Sequence, residues 1–399
     1  MPKIVTSLFS GCGGLDLGFT GGFSFLGRAY DRLDTQIVFA NDFDADAQCC
    51  YNNNPMLTND GAQCLLEDIR NVDANQIPDF DILLAGFPCQ PFSNAGNRRG
   101  VHDANGRGTL FEECERIIRA KIENGHRPQA FVFENVRGIL SSKMPDGKTT
   151  VPQEISNRMR DMGYNMSMQL VCASDYGVPQ QRYRVLIIGI DAGLGIGNFD
   201  FTSMQQVVRD YNIPSKSFGR DEELLIGNIL QGVHKVQDDV VWEYSKTTQN
   251  TVELIGSCRH GANAMKYFVP GFSKADLPAI VFEGRSWKDI PYEQLSPRLK
   301  KIADDPKKYH APKFFRRFAF GEINGTITAS AQPENCGITH PVENRRYSVR
   351  ECARIQSFPD EYSFGSIPLQ SQYKVIGNAV PPVLGWVVAK ALLNTLPQE

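Results

Sequence analysis

The chain has 399 residues, 41% of them apolar and 22% charged, with 42 Lys and Arg against 45 Asp and Glu for a formal charge of −3. That composition fits an ordinary soluble globular protein of two domains, or one large domain carrying an insertion. The near-balanced charge carries no global nucleic-acid signature and leaves a local one open. No apolar run approaches membrane-spanning length, and the opening MPKIVTSLFSG reads as a strand entering a loop and not as a signal peptide, so no membrane partner is expected. Ten cysteines without a CxxC pair suggest neither a zinc site nor a disulfide framework, so no metal is assigned and a reducing, cytoplasmic setting is expected.

In chain order, KIVTSLFSG, QIVFAND, DILLAGF, QAFVFENV and RVLIIGI are near-continuous apolar runs of the kind buried on both faces of a sheet. LFEECERIIRAKIENG, between two of them, places Leu110, Cys114, Ile117, Ile118 and Ile122 on one helical stripe, with Gly125 just past it as a stop. Strand, helix, strand in this rhythm predicts an α/β fold built on a doubly wound, mostly parallel sheet. After about Asp191 the rhythm fails, and the stretch to about Arg346 reads as a second, smaller domain of irregular structure. Near the end, prolines open an apolar helix through Val387, Val388, Ala391 and Leu392 that must dock, with the N-terminal sheet as its host. The expected division is 1–191, 192–346 and a returning 347–399.

Within the second region PRLKKIADDPKKYHAPKFFRR holds eight Lys or Arg and two Asp, a net of +6, interleaved with Tyr309, Phe314 and Phe315. Phosphate contact with base stacking would use that pattern, and so would a solvated face.

Ligands of open α/β sheets lie beyond the carboxyl ends of the strands. Those ends carry FSGCGG, Asn41-Asp42, Pro88-Cys89 and Glu134-Asn135, which should face one crevice. FSGCGGLDLGF is glycine-rich but is no dinucleotide fingerprint, since the third glycine position is Asp16. A loop of this kind suits an adenosyl ligand without phosphate, or simply a tight strand-to-helix turn. Asp42 is placed to accept hydrogen bonds from two ribose hydroxyls, and Phe43 offers a flat face to a base. In GFPCQPFS the prolines hold Cys89 in a stiff, extended loop, either as a packed thiol or as a nucleophile. Enclosure disfavours the charged form of a carboxyl group and lets it hand over a proton near neutral pH, so Cys89 with Glu134 fits conjugate addition to an electron-poor ring. Gln180, Arg182 and Arg184 alternate before a strand and would project to one side, as a ligand clamp or a polar strand entrance.

Taken together and in order, SLFSGCGGLDLGF, GFPCQPFS, FVFENVRGIL, SDYGVPQQRYRV, RECARIQSFPD and QYKVIGNAVPPVL resemble the DNA cytosine-5 methyltransferase family, bacterial type, whether of a restriction-modification system or orphan. The resemblance covers nearly all of residues 1–190 and 325–395 and implies the S-adenosylmethionine-dependent methyltransferase fold. It implies methyl transfer to C5 of a flipped cytosine in a short duplex DNA sequence, through a covalent bond from Cys89 to C6. Glu134 would act at N3, and Arg182 and Arg184 would steady the base carbonyl and a phosphate. Phe9, Gly11, Gly13, Asp42, Phe43, Asp68, Pro88, Leu110, Asn378 and Val380 match cofactor-contacting positions, Asp68 at the adenine amino group. The second region falls where the family keeps its target-recognition domain. The partner implied is double-stranded DNA, the protein being a monomer in the cytoplasm, and a cognate endonuclease is not readable from the chain. Rival readings are a tRNA cytosine-5 methyltransferase of the same fold and a non-catalytic DNA-binding regulator.

Overall fold

The sheet that organises the fold follows directly from those apolar runs. In the computed structural model, which describes residues 1–59, 61–87, 110–144, 146–258, 284–305 and 314–397, they become β1 (Lys3–Leu8), β2 (Thr35–Asp42), β4 (Ile82–Ala85), β5 (Ala130–Val136) and β7 (Tyr183–Asp191). Two further strands join them, the short β3 (Cys64–Leu66) and the nine-residue β6 (Tyr164–Cys172). The order across the sheet is β3-β2-β1-β4-β5-β7-β6. The first five are mutually parallel, whereas β7 runs antiparallel to both its neighbours. Every residue of β4 is fully buried, as a central parallel strand covered on both faces requires.

The strand order reverses beside β1, which passes to β2 on one side while β4 lies on the other. Register fixes what gathers there. Leu8 stands opposite Asn41 on β2 and opposite Ala85 on β4, and Ala85 stands opposite Phe133 on β5. The residues just beyond that row are Phe9, Asp42, Gly86 and Glu134.

Helices α1 (Gly14–Thr20), α2 (Ala45–Asn52), α3 (Phe111–Glu123), α4 (Val151–Asp161), α5 (Thr202–Asp210) and α6 (Pro382–Thr395) accompany the sheet. The stripe expected on α3 is buried through Cys114, Ile117 and Ile118, in one cluster with Phe131, Phe133, Ile155 and Ile187. The C-terminal α6 docks on α1 through a glycine contact: a Cβ on Gly18 would lie 2.6 Å from the main chain of Gly385. Only glycine permits that approach. Trp386 then locks the helix, donating from Nε1 to the Asp31 carbonyl at 2.9 Å and meeting Tyr30 and Tyr211 edge-on.

The chain divides into two units, residues 1–176, 183–213 and 379–399 in one and 177–182 with 214–378 in the other. Among the described residues the second unit holds mostly short helices, with a two-residue parallel pairing of Asn324–Gly325 to Gln180–Gln181. Its apolar cluster joins Ile255, Trp287, Ile290, Leu295, Leu299, Phe314 and Phe315. Also among the described residues, the stretch Leu369–Thr395 meets membrane-span criteria of length and hydropathy, contrary to the sequence reading, yet 89% of its most apolar window is buried inside the protein.

Candidate active site

The glycine loop leaves β1 by a sharp turn. Phe9, Gly11 and Gly13 have φ of 55, 58 and 78°, and the value at Phe9 is one a bulky side chain adopts only under constraint. At Gly13 a Cβ would fall 2.3 Å from Leu57 Cδ1 and 2.9 Å from the Tyr51 ring, so a side chain there would have to displace both. At Gly11 it would meet nothing within 4 Å, so that side of the backbone is open. The Gly11 amide donates to Asp42 Oδ2 at 2.8 Å and the Asp44 amide to Oδ1 at 2.9 Å. Burial pushes the Asp42 carboxyl above its ordinary value, and these amides pull back in part. A carboxylate has lone pairs for about four partners, so acceptor capacity remains. Phe43, next in the chain, is 63% exposed.

Asp68 caps the short 3-10 turn Ile69–Asn71 by accepting from the Arg70 amide. Its side chain also pairs with the Arg70 guanidinium at 2.5 Å, and this hydrogen-bonded partner holds the carboxyl below the usual range. Leu110 heads α3 and lies in the same buried cluster as Phe87. Val380 is buried in the first unit, whereas Asn378 is exposed at the end of the helix Leu369–Asn378 in the second.

Glu134 is almost fully buried at the end of β5, and its Oε1 lies 2.7 Å from Arg184 Nε. The antiparallel register explains the pair. Leu186 stands opposite Glu134, so Arg184, two residues earlier, shares its face as a diagonal neighbour. A Cβ built on Gly86 would lie 4.0 Å from Glu134 Oε2 and 3.9 Å from the Phe9 carbonyl, which places three strand ends around one spot. Asn135 Nδ2 donates to the Phe87 carbonyl at 3.3 Å and so ties the end of β5 to the segment that leads into Pro88. Pro88 and Cys89 themselves lie outside the described residues.

Two expectations give way. Gln180 and Arg182 do not project as free side chains in the way the alternation suggested. The Arg182 side chain, only 1% exposed, donates to the carbonyls of Ile327 at 3.0 Å and Gly377 at 3.1 Å within the second unit. Gln180 is likewise buried there, against Ile355 and Gln356. Alternation was the wrong guide because the chain passes from one unit to the other between Arg182 and Tyr183.

In the described part of the basic segment the aromatic rings are likewise not an open stacking surface. Phe314 and Phe315 are 2% and 6% exposed in the apolar cluster. Arg317 spends its guanidinium on His340 O, Asn344 Oδ1 and Glu343 O. Residues 306–313, with Lys307, Lys308 and Tyr309, lie outside the described residues.

Sequence reasoning missed the structural roles of Asn135 and Asp16. Each is a polar residue at the edge of an apolar run, and that was the signal available.

Comparison with known proteins identifies the family and the fold. Residues 4–394 match the family described as C-5 cytosine-specific DNA methylase. The chain is 32% identical to the type II methyltransferase M.FnuDI of Fusobacterium nucleatum, covering 98% of this chain and 95% of that one. It is 29% identical to M.NgoPII of Neisseria gonorrhoeae over 99% and 96%. Among solved structures, a putative DNA modification methyltransferase encoded within an E. coli prophage superposes with a TM-score of 0.58 at 19% identity, over 98% and 99% of the two chains. The S. pombe Dnmt2 methyltransferase gives 0.55 at 15%, with the same coverage. At those identities they bear on the fold alone. The chain is thus a member of the C-5 cytosine-specific DNA methylase family, an α/β methyltransferase that methylates cytosine in DNA.

Proposed function

We propose that the protein transfers a methyl group from S-adenosylmethionine to C5 of a cytosine swung out of duplex DNA, through a transient bond between Cys89 and C6. The observation that carries this is the convergence of the Phe9–Gly13 loop, Asp42 and the Glu134–Arg184 pair at aligned strand ends. The loop fits an adenosyl group. Its backbone is open at Gly11, Asp42 has acceptor capacity for ribose hydroxyls, and Phe43 exposes a ring for stacking. Phe9, Asp42, Phe43, Leu110 and Val380, all in the first unit, are the proposed cofactor contacts. Asp68 contributes there only by sharing its carboxylate with Arg70. When bound, S-adenosylmethionine supplies an electrophilic methyl group.

In this scheme the Cys89 thiolate adds to C6 while Glu134, oriented by Arg184 and carrying a proton in the complex with the base, donates that proton or a hydrogen bond to N3. The electron pair released from the C5–C6 double bond makes C5 the nucleophile. Loss of the C5 proton and expulsion of the thiolate then restore the ring. Base pairing hides C6, so the cytosine must leave the stack first. Direct readout of neighbouring bases is assigned to the region 192–346. The protein is expected to act as a cytoplasmic monomer on double-stranded DNA.

Duplex DNA carrying 5-fluorocytosine tests the scheme, because fluorine blocks the final elimination. Wild type with S-adenosylmethionine should form a denaturant-stable adduct and Cys89→Ser should form none. An adduct in the variant, or methyl transfer to tRNA in preference to DNA, would overturn it.

A further inference from the structure

Asp16 stands where a dinucleotide loop would carry its third glycine, and the structure gives this carboxylate a different employment. It lies in the first turn of α1, is 1% exposed, and accepts from Ser7 Oγ at 2.7 Å and from the Tyr51 hydroxyl at 2.9 Å. The chain of hydroxyls continues outward. Ser10 Oγ donates to Ser7 Oγ at 2.9 Å and receives the Asn41 amide at 3.3 Å, while the Ser10 amide donates to the Asn41 carbonyl at 3.0 Å. Asn41 and Ser10 are the residues next to Asp42 and Gly11, which bond to each other.

A run of hydroxyls has no fixed direction of its own, since each can donate or accept. A terminal acceptor that only accepts removes the choice. With Asp16 ionised, Ser7 and Tyr51 must donate inward, Ser10 donates to Ser7, and the Ser10 lone pair is left to the Asn41 amide. The loop needs such an anchor, because Phe9 holds a positive φ of 55°.

We propose that Asp16 is a positioning residue for the adenosyl ligand, whose buried negative charge sets the direction of the Tyr51–Asp16–Ser7–Ser10 hydrogen-bond chain and so holds the Gly11–Asp42 cradle in its binding geometry. This rests on the adenosyl reading of that loop. Protonated Asp16 must donate from one of its oxygens; a proton on Oδ1 turns Ser7 round, and Ser10 Oγ then has the Ser7 carbonyl as its alternative acceptor at 3.1 Å. Burial raises the Asp16 carboxyl to about 6, so this reversal falls within an accessible pH range. The titratable groups interacting with it from neighbouring elements are Tyr51 on α2, Cys12 in the loop and Cys64 on β3, and burial pushes all three upward, so they stay neutral across that range. Asp42 is the other carboxylate at the loop.

Calorimetric titration of the full-length protein with S-adenosylhomocysteine is the test. Wild type should bind progressively more weakly as pH falls from 7.5 to 5.5. Asp16→Asn should bind at least tenfold more weakly at pH 7.5 with no such pH dependence. Tyr51→Phe keeps the carboxylate but removes one donor that stabilises it, so its midpoint should move to higher pH, a readout that stands even if Asp16→Asn fails to fold. Unchanged affinity in Asp16→Asn, a pH dependence that survives in it, or an unmoved midpoint in Tyr51→Phe overturns the inference. A wild type that binds no S-adenosylhomocysteine overturns the adenosyl reading itself.

Discussion

Removing the Arg184 guanidinium would strand the Glu134 carboxylate. The two side chains are 12% and 10% exposed and their charged atoms lie 2.7 Å apart. A buried ion pair contributes little over an apolar replacement, but breaking one side of it leaves an uncompensated charge, at a cost of roughly 3 kcal/mol or more. For a unit of this size each kcal/mol moves the midpoint by about 2–4 °C, so Arg184→Ala should lower Tm by roughly 6–12 °C. Arg184→Ala combined with Glu134→Gln removes the stranded charge and should recover most of that loss. Thermal unfolding of wild type, both single variants and the double variant gives the coupling directly. Methyl transfer should fall in all three variants, and in the double variant it should stay low although Tm recovers. If Arg184→Ala melts within 2 °C of wild type, or if the double variant is no more stable than the single, the pair does not hold Glu134 in the way argued.

The contact between α1 and α6 predicts that Gly18→Ala destabilises by about 1–3 kcal/mol, despite the gain in helix propensity, because the added methyl meets main chain at 2.6 Å. A Gly18→Ala variant with raised Tm would refute it. His340 is buried and held neutral, its value pushed down to about 3, against about 6.5 in an unfolded chain. Between those values the unfolded state binds the extra proton, so stability falls as pH drops below 6.5, by up to about 1.4 kcal/mol per unit. His340→Asn should flatten that slope in acid unfolding curves. Asp16, raised to about 6, has the opposite sign, with stability lost as pH rises through 6. Arg317→Ala should destabilise the protein and leave the salt dependence of DNA binding unchanged, since its guanidinium is spent on internal acceptors.

Much of the first unit could be read from the sequence because a parallel sheet buried on both faces writes itself as unbroken apolar runs. All five such runs are strands, and α3 and α6 lie where stripe and prolines placed them. β6 escaped notice because Tyr164–Cys172 mixes polar and apolar residues, as a strand at the edge of the sheet can. The second unit was opaque for a related reason. Its described elements are short, and its interior is partly ionic: Arg345 pairs with the fully buried Glu351 at 2.7 Å, and Arg346 bonds to carbonyls while lying over the rings of Trp242 and Tyr244. Charged residues used in this way read as surface when only the sequence is considered.

The same confusion of buried with exposed charge explains which site residues were legible. Glu134 and Asp42 end apolar strands, and a carboxylate at such a place has few structural employments, so both stand out as candidates. Arginine does not share that property. Arg184 reaches Glu134, yet Arg182, two residues before it, satisfies backbone carbonyls, and nothing in the spacing separates them. Asp16 stands between these cases: its neighbours are apolar, but its partners Ser7 and Tyr51 are 9 and 35 residues away, on different elements. The acceptor role of a buried carboxylate is set by the donors the fold brings to it, and those donors are visible only once β1, α1 and α2 have been placed together.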